Sequence, residues 1–175
     1  MKENFEMFIS GAGDLEKTMH ETIAANQLQN CVKMLGVPDF KTEFFPFVKN
    51  NIDLFVCCHR QGDPSCTYIE TMSCGVPIVG YANEAFEGIS VMSETGWVVR
   101  MNQPKQMAKK IAELSQNREA IKSMSFKSLK FAQQHTFENT FKARVKHMQQ
   151  VIAYSRRANQ ATESQLSDDT NQIFA

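Results

Sequence analysis

The chain has 175 residues, 42% of them hydrophobic, and its nineteen basic and nineteen acidic side chains cancel. That balance argues against a general nucleic-acid or polyanion binder, and the size suits one sizeable core. No apolar run approaches the length of a bilayer span and the amino terminus lacks a signal peptide's apolar stretch, so a cytoplasmic location is expected.

Phe5 to Ser10 reads as a strand, followed by the turn Gly11-Ala12-Gly13-Asp14 and a helix with Leu15, Met19 and Ile23 on one face. A nicotinamide or flavin site is not expected there. Glu16 stands where a dinucleotide fingerprint has its third glycine, and no acid ends the next strand, Cys31 to Leu35. After the turn at Gly36, Val37 and Pro38, Phe44 to Asn50 reads as a helix.

Ile52 to Cys58 and Val76 to Val79 are apolar runs of strand length with one loop and one helix between them. They form a βαβ unit, whose right-handed crossover places the loop at the carboxyl edge of the sheet, where ligands of such sheets bind. The loop His59 to Ser65 ends where Pro64 and Ser65 can start the helix. The amides of Ser65, Cys66 and Thr67 would then be unpaired and suit a phosphate. Asp63 at the loop tip and Glu70, seven residues on, can each hold hydroxyls, and Arg60 is the nearest cation. A diphosphate between two polyols would fit.

Farther on, Gly80 to Ile89 reads as a loop and Pro104 opens a helix with Met107, Ile111 and Leu114 on its apolar face. Glu119 to Gln134 and Phe137 to Tyr154 are two closing helices, the second N-capped by Thr136 and carrying Phe141, Val145, Met148 and Ile152. Lys127, Lys130, Lys142, Arg144, Lys146, Arg156 and Arg157 make this region basic. A solvated helix face is expected in preference to contact with an anionic membrane. From Ser155 to Ala175 the chain is polar and without apolar periodicity, which predicts a mobile tail after one domain at 1–154. The five cysteines form no C-x-x-C pair and read as reduced core thiols; the four histidines have no metal spacing, and no metal or cofactor is expected.

The run Tyr68-Ile69-Glu70-Thr71-Met72-Ser73-Cys74-Gly75-Val76-Pro77-Ile78-Val79 resembles "LEAMACGxPVV", the donor-binding helix of the family-4 retaining glycosyltransferases, whose two-domain fold is GT-B. The resemblance continues in the strand and turn before Gly13, in Val32 to Val37 against "VxFLGxV", and in Glu94 to Val99 against "xxTGxLV". It spans about Phe5 to Tyr154. Gly62 stands where the family has its first motif Glu, with Asp63 one residue later, and Asn83 and Glu84 replace two loop glycines, with Glu87 in line with the loop's Glu.

The resemblance implies an α/β fold: a Rossmann-like, doubly wound parallel sheet of about five strands with helices on both faces, ending in two helices. It implies transfer of a sugar from a nucleoside diphosphate sugar, with Asp63 at the donor sugar and Glu70 on the ribose. Gly11, Gly13, Gly36, Val37, Arg60, Gly62, Ser65, Cys66, Thr67 and Glu87 complete the donor-binding set. The family's acceptor domain, first carboxyl-terminal strand and diphosphate-neutralising Arg and Lys are missing before Met1. A partner chain or homo-oligomer is therefore expected, since loss of the central strand leaves Phe5 to Ser10 either pairing directly with Ile52 to Cys58 or needing a partner in the gap. Three readings follow: a donor-binding half of a glycosyltransferase, a nucleotide-sugar binding module without catalysis, or a folded remnant used for interaction. A nucleotide-sugar epimerase is the weaker enzyme rival.

Overall fold

The computed structural model of the chain describes the backbone of residues 5–62 and 66–173, with side chains as far as residue 158. Five strands alternate with helices: β1 (Met7–Ser10), α1 (Glu16–Ala25), β2 (Val32–Gly36), a π-helical turn (Phe40–Phe44), α2 (Phe45–Asn51), β3 (Phe55–Cys57) and α3 (Cys66–Ser73). Then come β4 (Ile78–Tyr81), α4 (Glu84–Ser93), β5 (Trp97–Val99), α5 (Pro104–Ser115), α6 (Arg118–Gln134) and α7 (Phe137–Ile173). Two compact units result, Met1–Ala132 and Gln133–Ala175.

All strand pairings are parallel, and a helix lies between every two consecutive strands, as a parallel sheet requires. This is the expected α/β class, with one correction. The strands form a pair, β1–β2, and a separate triple, β3–β4–β5. Among the described residues no backbone hydrogen bond joins β1 to β3, so the direct pairing of Phe5 to Ser10 with Ile52 to Cys58 does not form. Phe8 of β1 meets Phe47 of α2, the helix that leads from β2 into β3, edge-on at 4.9 Å between ring centroids.

The core is built outward from β4, buried along its whole length. Its period-2 alternation feeds two apolar clusters on opposite faces. Ile78 joins Cys57, Tyr68, Met72, Phe86, Phe131 and Ala132, while Val79 and Tyr81 join Val99 and Met107. Gly80 and Gly96 make room for Phe86: a Cβ at Gly80 would lie 2.8 Å from the Phe86 ring, and one at Gly96 would lie 2.9 Å from the Ile78 carbonyl oxygen.

Four local features differ from or add to the sequence reading. The π-helical turn was not foreseen; the Asp39 carboxylate holds it by accepting from the Lys41 and Thr42 amides at 3.1 and 2.8 Å and from Thr42 Oγ1 at 2.6 Å. Strand β4 starts two residues later than Val76 and runs on to Tyr81. Most of the supposed loop Gly80 to Ile89 is helix α4, because Asn83 caps it by accepting from the Phe86 amide at 2.8 Å. Beyond Tyr154 the chain is helical: α7 continues to Ile173 through a polar segment rich in Ser, Thr, Asn, Asp and Gln.

In the second unit, Phe137, Phe141, Val145, Met148 and Ile152 form an exposed apolar stripe along α7, with Phe137 stacked on Phe141 and the Arg144 guanidinium over the Phe141 ring. Among the described residues no helix is long and apolar enough to cross a membrane.

Candidate functional site

In a doubly wound sheet the strand ends and the following helix starts share the carboxyl edge, and most of the expected donor residues fall there. On the β1–β2 pair, Gly11 and Gly36 meet: the Gly11 amide donates to the Gly36 carbonyl at 2.7 Å, and Ser10 Oγ donates to the same oxygen at 3.2 Å. Both glycines have positive φ, +137° and +63°, and nothing lies within 4 Å of a Cβ built on Gly11, Gly13 or Gly36. Their backbone therefore faces open space, the condition for close approach of a ligand. Val37 is exposed beside them.

On the triple, β3 runs into the loop that carries His59, Arg60 and Gly62, and helix α3 begins at Cys66. Asp63 and Ser65, the expected sugar-side acid and one of the expected phosphate-binding amides, lie outside the described residues. Cys66 is an exposed thiol at the helix start, with Thr67 next to it. Glu70 is half-buried one turn into α3; its carbonyl accepts from Ser73 Oγ at 2.7 Å, and its carboxylate has no hydrogen-bond or ion-pair partner among the described residues. Gly62 backs onto Glu84, whose Cβ lies 3.0 Å from where a Cβ on Gly62 would be. Arg60 and Glu87 are both exposed. No hydrogen bond or ion pair among the described residues links the Gly11–Gly36 pair to Arg60, Gly62 or Glu70, which lie across the break in the sheet.

A polar hub fixes the triple's half of the site, and sequence reasoning missed it. Asn83 is 2% exposed, and its Nδ2 donates to the His59 carbonyl at 3.1 Å and to Tyr68 Oη at 3.3 Å while its Oδ1 caps α4. Tyr68 is fully buried and also accepts from Cys57 Sγ at 3.5 Å. One side chain thus ties the loop after β3, helix α3 and helix α4. The signal was present in the Asn before Glu-Ala-Phe-Glu, an ordinary N-cap pattern.

The cysteines here are poorly suited to nucleophilic work. Desolvation of the partly shielded Cys58 thiol, and then neighbouring Cys57, push its pKa up, and desolvation does the same for Cys74 at the opposite edge of the sheet. Among the described residues no group of His, Cys, Asp or Glu is placed to hold a metal ion.

A cleft of about 370 Å³ lies at the amino edge of the strands, lined by Lys49, Asp53, Cys74, Arg118, Lys122 and Ser125 among others. It is remote from the expected site residues, and the exposed ion pair of Arg118 with Asp53 at 2.8 Å spans part of it.

Comparison with known proteins agrees with this architecture. The structure is similar to HepE of Anabaena, solved in complex with UDP-glucose, with a TM-score of 0.68 at 18% identity over 83% of this chain and 41% of that one. It is similar to sucrose-phosphate synthase of Thermosynechococcus elongatus, with a TM-score of 0.69 at 15% identity over 85% and 39%. A third likeness is to the C-terminal domain of a group 1 family glycosyl transferase, LpcC of Francisella tularensis, with a TM-score of 0.60 at 17% identity over 70% and 62%. The chain thus spans about two fifths of the length of the first two. No curated protein sequence matches it. The family model of glycosyl transferases group 1 matches residues 1–130, and the chain belongs to that family.

Proposed function

We propose that the chain is the donor-binding half of a retaining glycosyltransferase of the family-4 type, taking a nucleoside diphosphate sugar and working with an acceptor domain outside these 175 residues. The observation that carries this reading is the carboxyl edge. Open, positive-φ glycine backbone at Gly11 and Gly36 and the start of α3 at Cys66 lie at strand ends of one α/β unit, with the Glu70 carboxylate on α3 unpaired among the described residues. HepE, which shares the fold, is described with UDP and with UDP-glucose, and this supports a nucleotide sugar as the ligand.

In this reading Glu70 holds the ribose hydroxyls, and the Gly36–Val37 backbone meets the base. The amide of Cys66 at the start of α3 stabilises the departing diphosphate, since helix-start donors act where negative charge develops. Arg60 supplies the nearest positive charge on the loop, and Asp63 addresses the sugar. The mechanism asks no metal of these residues.

Calorimetric titration with uridine and guanosine diphosphates and their sugars tests the reading, with Glu70→Ala as the paired variant. Heat with the parent chain, lost or weakened at least about tenfold in a Glu70→Ala variant of unchanged Tm, is the expected result. A tenfold loss corresponds to about 1.4 kcal/mol, within the range of one charged hydrogen-bonding group. Absence of binding by the parent chain at millimolar nucleotide would reject it.

A second reading, binding without transfer, is favoured by the break in the sheet, which separates the two halves of the edge. Donor hydrolysis or transfer by the isolated chain distinguishes the two.

A further inference from the structure

We propose that Glu84, at the start of α4, reads the transferred sugar: its carboxylate accepts hydrogen bonds from sugar hydroxyls and restricts the donor to uncharged sugars, so that uronic acids are rejected. The inference rests on the donor-binding reading and deepens it.

Geometry gives the first argument. The Glu84 side chain folds over Gly62 on the loop after β3. A Cβ built on Gly62 would lie 3.0 Å from Glu84 Cβ, 3.6 Å from its Cγ and 3.1 Å from the carboxylate oxygen Oε2. The carboxylate thus occupies the space into which a side chain at position 62 would project, and the glycine is what leaves that space open. Helix α3 begins four residues on, at Cys66, and the chain between the two spans at most about 14 Å. Glu84 is therefore within reach of a sugar whose diphosphate lies at the start of α3.

Rigidity gives the second. Asn83, the residue before Glu84, accepts from the Phe86 amide at 2.8 Å and donates to the His59 carbonyl at 3.1 Å. The start of α4 and the loop that carries Gly62 are held together by these bonds, without help from the Glu84 carboxylate. That carboxylate is exposed and has no hydrogen-bond or ion-pair partner among the described residues. A fixed acceptor with its lone pairs unused is preorganised for a ligand.

Chemistry gives the third. An ionised carboxylate only accepts hydrogen bonds, so it is no partner for a phosphate. In the donor-binding reading the diphosphate goes to the start of α3 and the ribose to Glu70, which leaves the transferred sugar as the hydroxyl-rich part for Glu84. Glu87 lies in the same first turn of α4 and is also exposed. A sugar carboxylate would meet like charge there, and such a repulsive element is how a site rejects a close analogue.

An acid in the first turn also suits the dipole of α4, but that role alone would alter Tm and leave ligand affinity unchanged.

The test is calorimetric titration of the parent chain, Glu84→Gln and Gly62→Ala, with the Tm of each. The ligands are uridine diphosphate, its glucose and its glucuronic acid, and guanosine diphosphate, its mannose and its mannuronic acid. The parent should bind the neutral sugar nucleotide at least about tenfold more tightly than the uronic one. Glu84→Gln should weaken the neutral sugar nucleotide about tenfold, abolish the gap to the uronic one and leave the bare diphosphate within about twofold. Loss of a negative charge cannot by itself weaken an anionic ligand, so weakening confined to the sugar nucleotide reports a lost contact. Gly62→Ala should displace the Glu84 side chain and weaken the same ligand, with no further loss when the two substitutions are combined.

Unchanged affinity of Glu84→Gln for the neutral sugar nucleotide, equal weakening of all ligands, a gap to the uronic sugar that survives the substitution, or additive losses in the double variant would each overturn this inference alone. A parent chain that binds no nucleotide at millimolar concentration would overturn the donor-binding reading and this inference with it.

Discussion

The two strand groups of this molecule carry similar sequences and have different fates. The triple is organised around Ile78–Tyr81, every residue of which is buried between two apolar clusters. The pair has Val32, at 9% exposure, as its only buried strand residue, and Met7 is 41% exposed. Apolar composition alone does not make a core; a strand is buried when both neighbours and both helix layers are present. Expected ligand contacts are divided between the two, with the most open glycine backbone on the weakly packed pair.

The largest expected effect separates the two groups by stability. Phe86→Ala, at the centre of the triple, should cost about 3–5 kcal/mol, whereas Ile9→Ala in the half-buried β1 should cost less than about 2 kcal/mol. Denaturant unfolding of both variants checks this, and equal losses would mean that the pair is as tightly integrated as the triple.

Next in size is Asn83→Ala. It removes a helix cap and takes from the His59 carbonyl and from Tyr68 Oη the hydrogen bonds that Asn83 Nδ2 donates, a combined cost of about 2–3 kcal/mol. Because both partners belong to the triple, faster exchange should appear in α3 and α4 and leave β1–β2 unaltered. Ser128→Ala should go the other way: Ser128 is fully buried and its Oγ has no partner among the described residues, so the variant should be neutral or more stable by up to about 1 kcal/mol.

The smallest effect concerns the π-helical turn that follows the pair. Hydrogen bonds from the Thr42 side chain and backbone, and then from the Lys41 amide, hold the Asp39 carboxyl below the usual carboxylate range. A depressed folded pKa adds stability above the unfolded value of about 3.9, and that share is lost as pH falls through the lower folded value. Asp39→Asn should therefore flatten the fall of Tm on the acid side of about pH 4, with the neutral Tm little changed, in a thermal scan against pH.

Much of this was legible in the sequence. Met107, Ile111 and Leu114 at helical spacing marked α5, and the apolar runs around Phe55 and Ile78 marked the βαβ unit, because period and run length are local properties. The resemblance at Tyr68 to Val79 carried the family. What was not legible depended on non-local contacts or on a competing prior. The segment Gly80 to Ile89 was read as a ligand loop through its likeness to a glycine-bearing one, which hid the cap that Asn83 places on α4. The polar run after Tyr154 lacks an apolar stripe, so its helix, a continuation of α7, leaves no amphipathic pattern to read. Nothing in β1 or β3 taken singly announces that they do not pair, because strand order is a non-local property.

The Asn83 hub has a consequence for binding entropy. Arg60 and Gly62 sit on the loop it holds, Cys66, Thr67 and Glu70 on α3, and Glu87 on α4, so one buried amide removes the independent motion of three segments before any ligand arrives. For the proposed nucleotide sugar, association would then incur less ordering cost on that side of the edge. The opposite side, with Gly11 and Gly36 on a half-covered pair, has no such anchor. Its ordering is a cost that the ligand meets itself, which makes that side the place where a small gain in rigidity would be felt most in affinity.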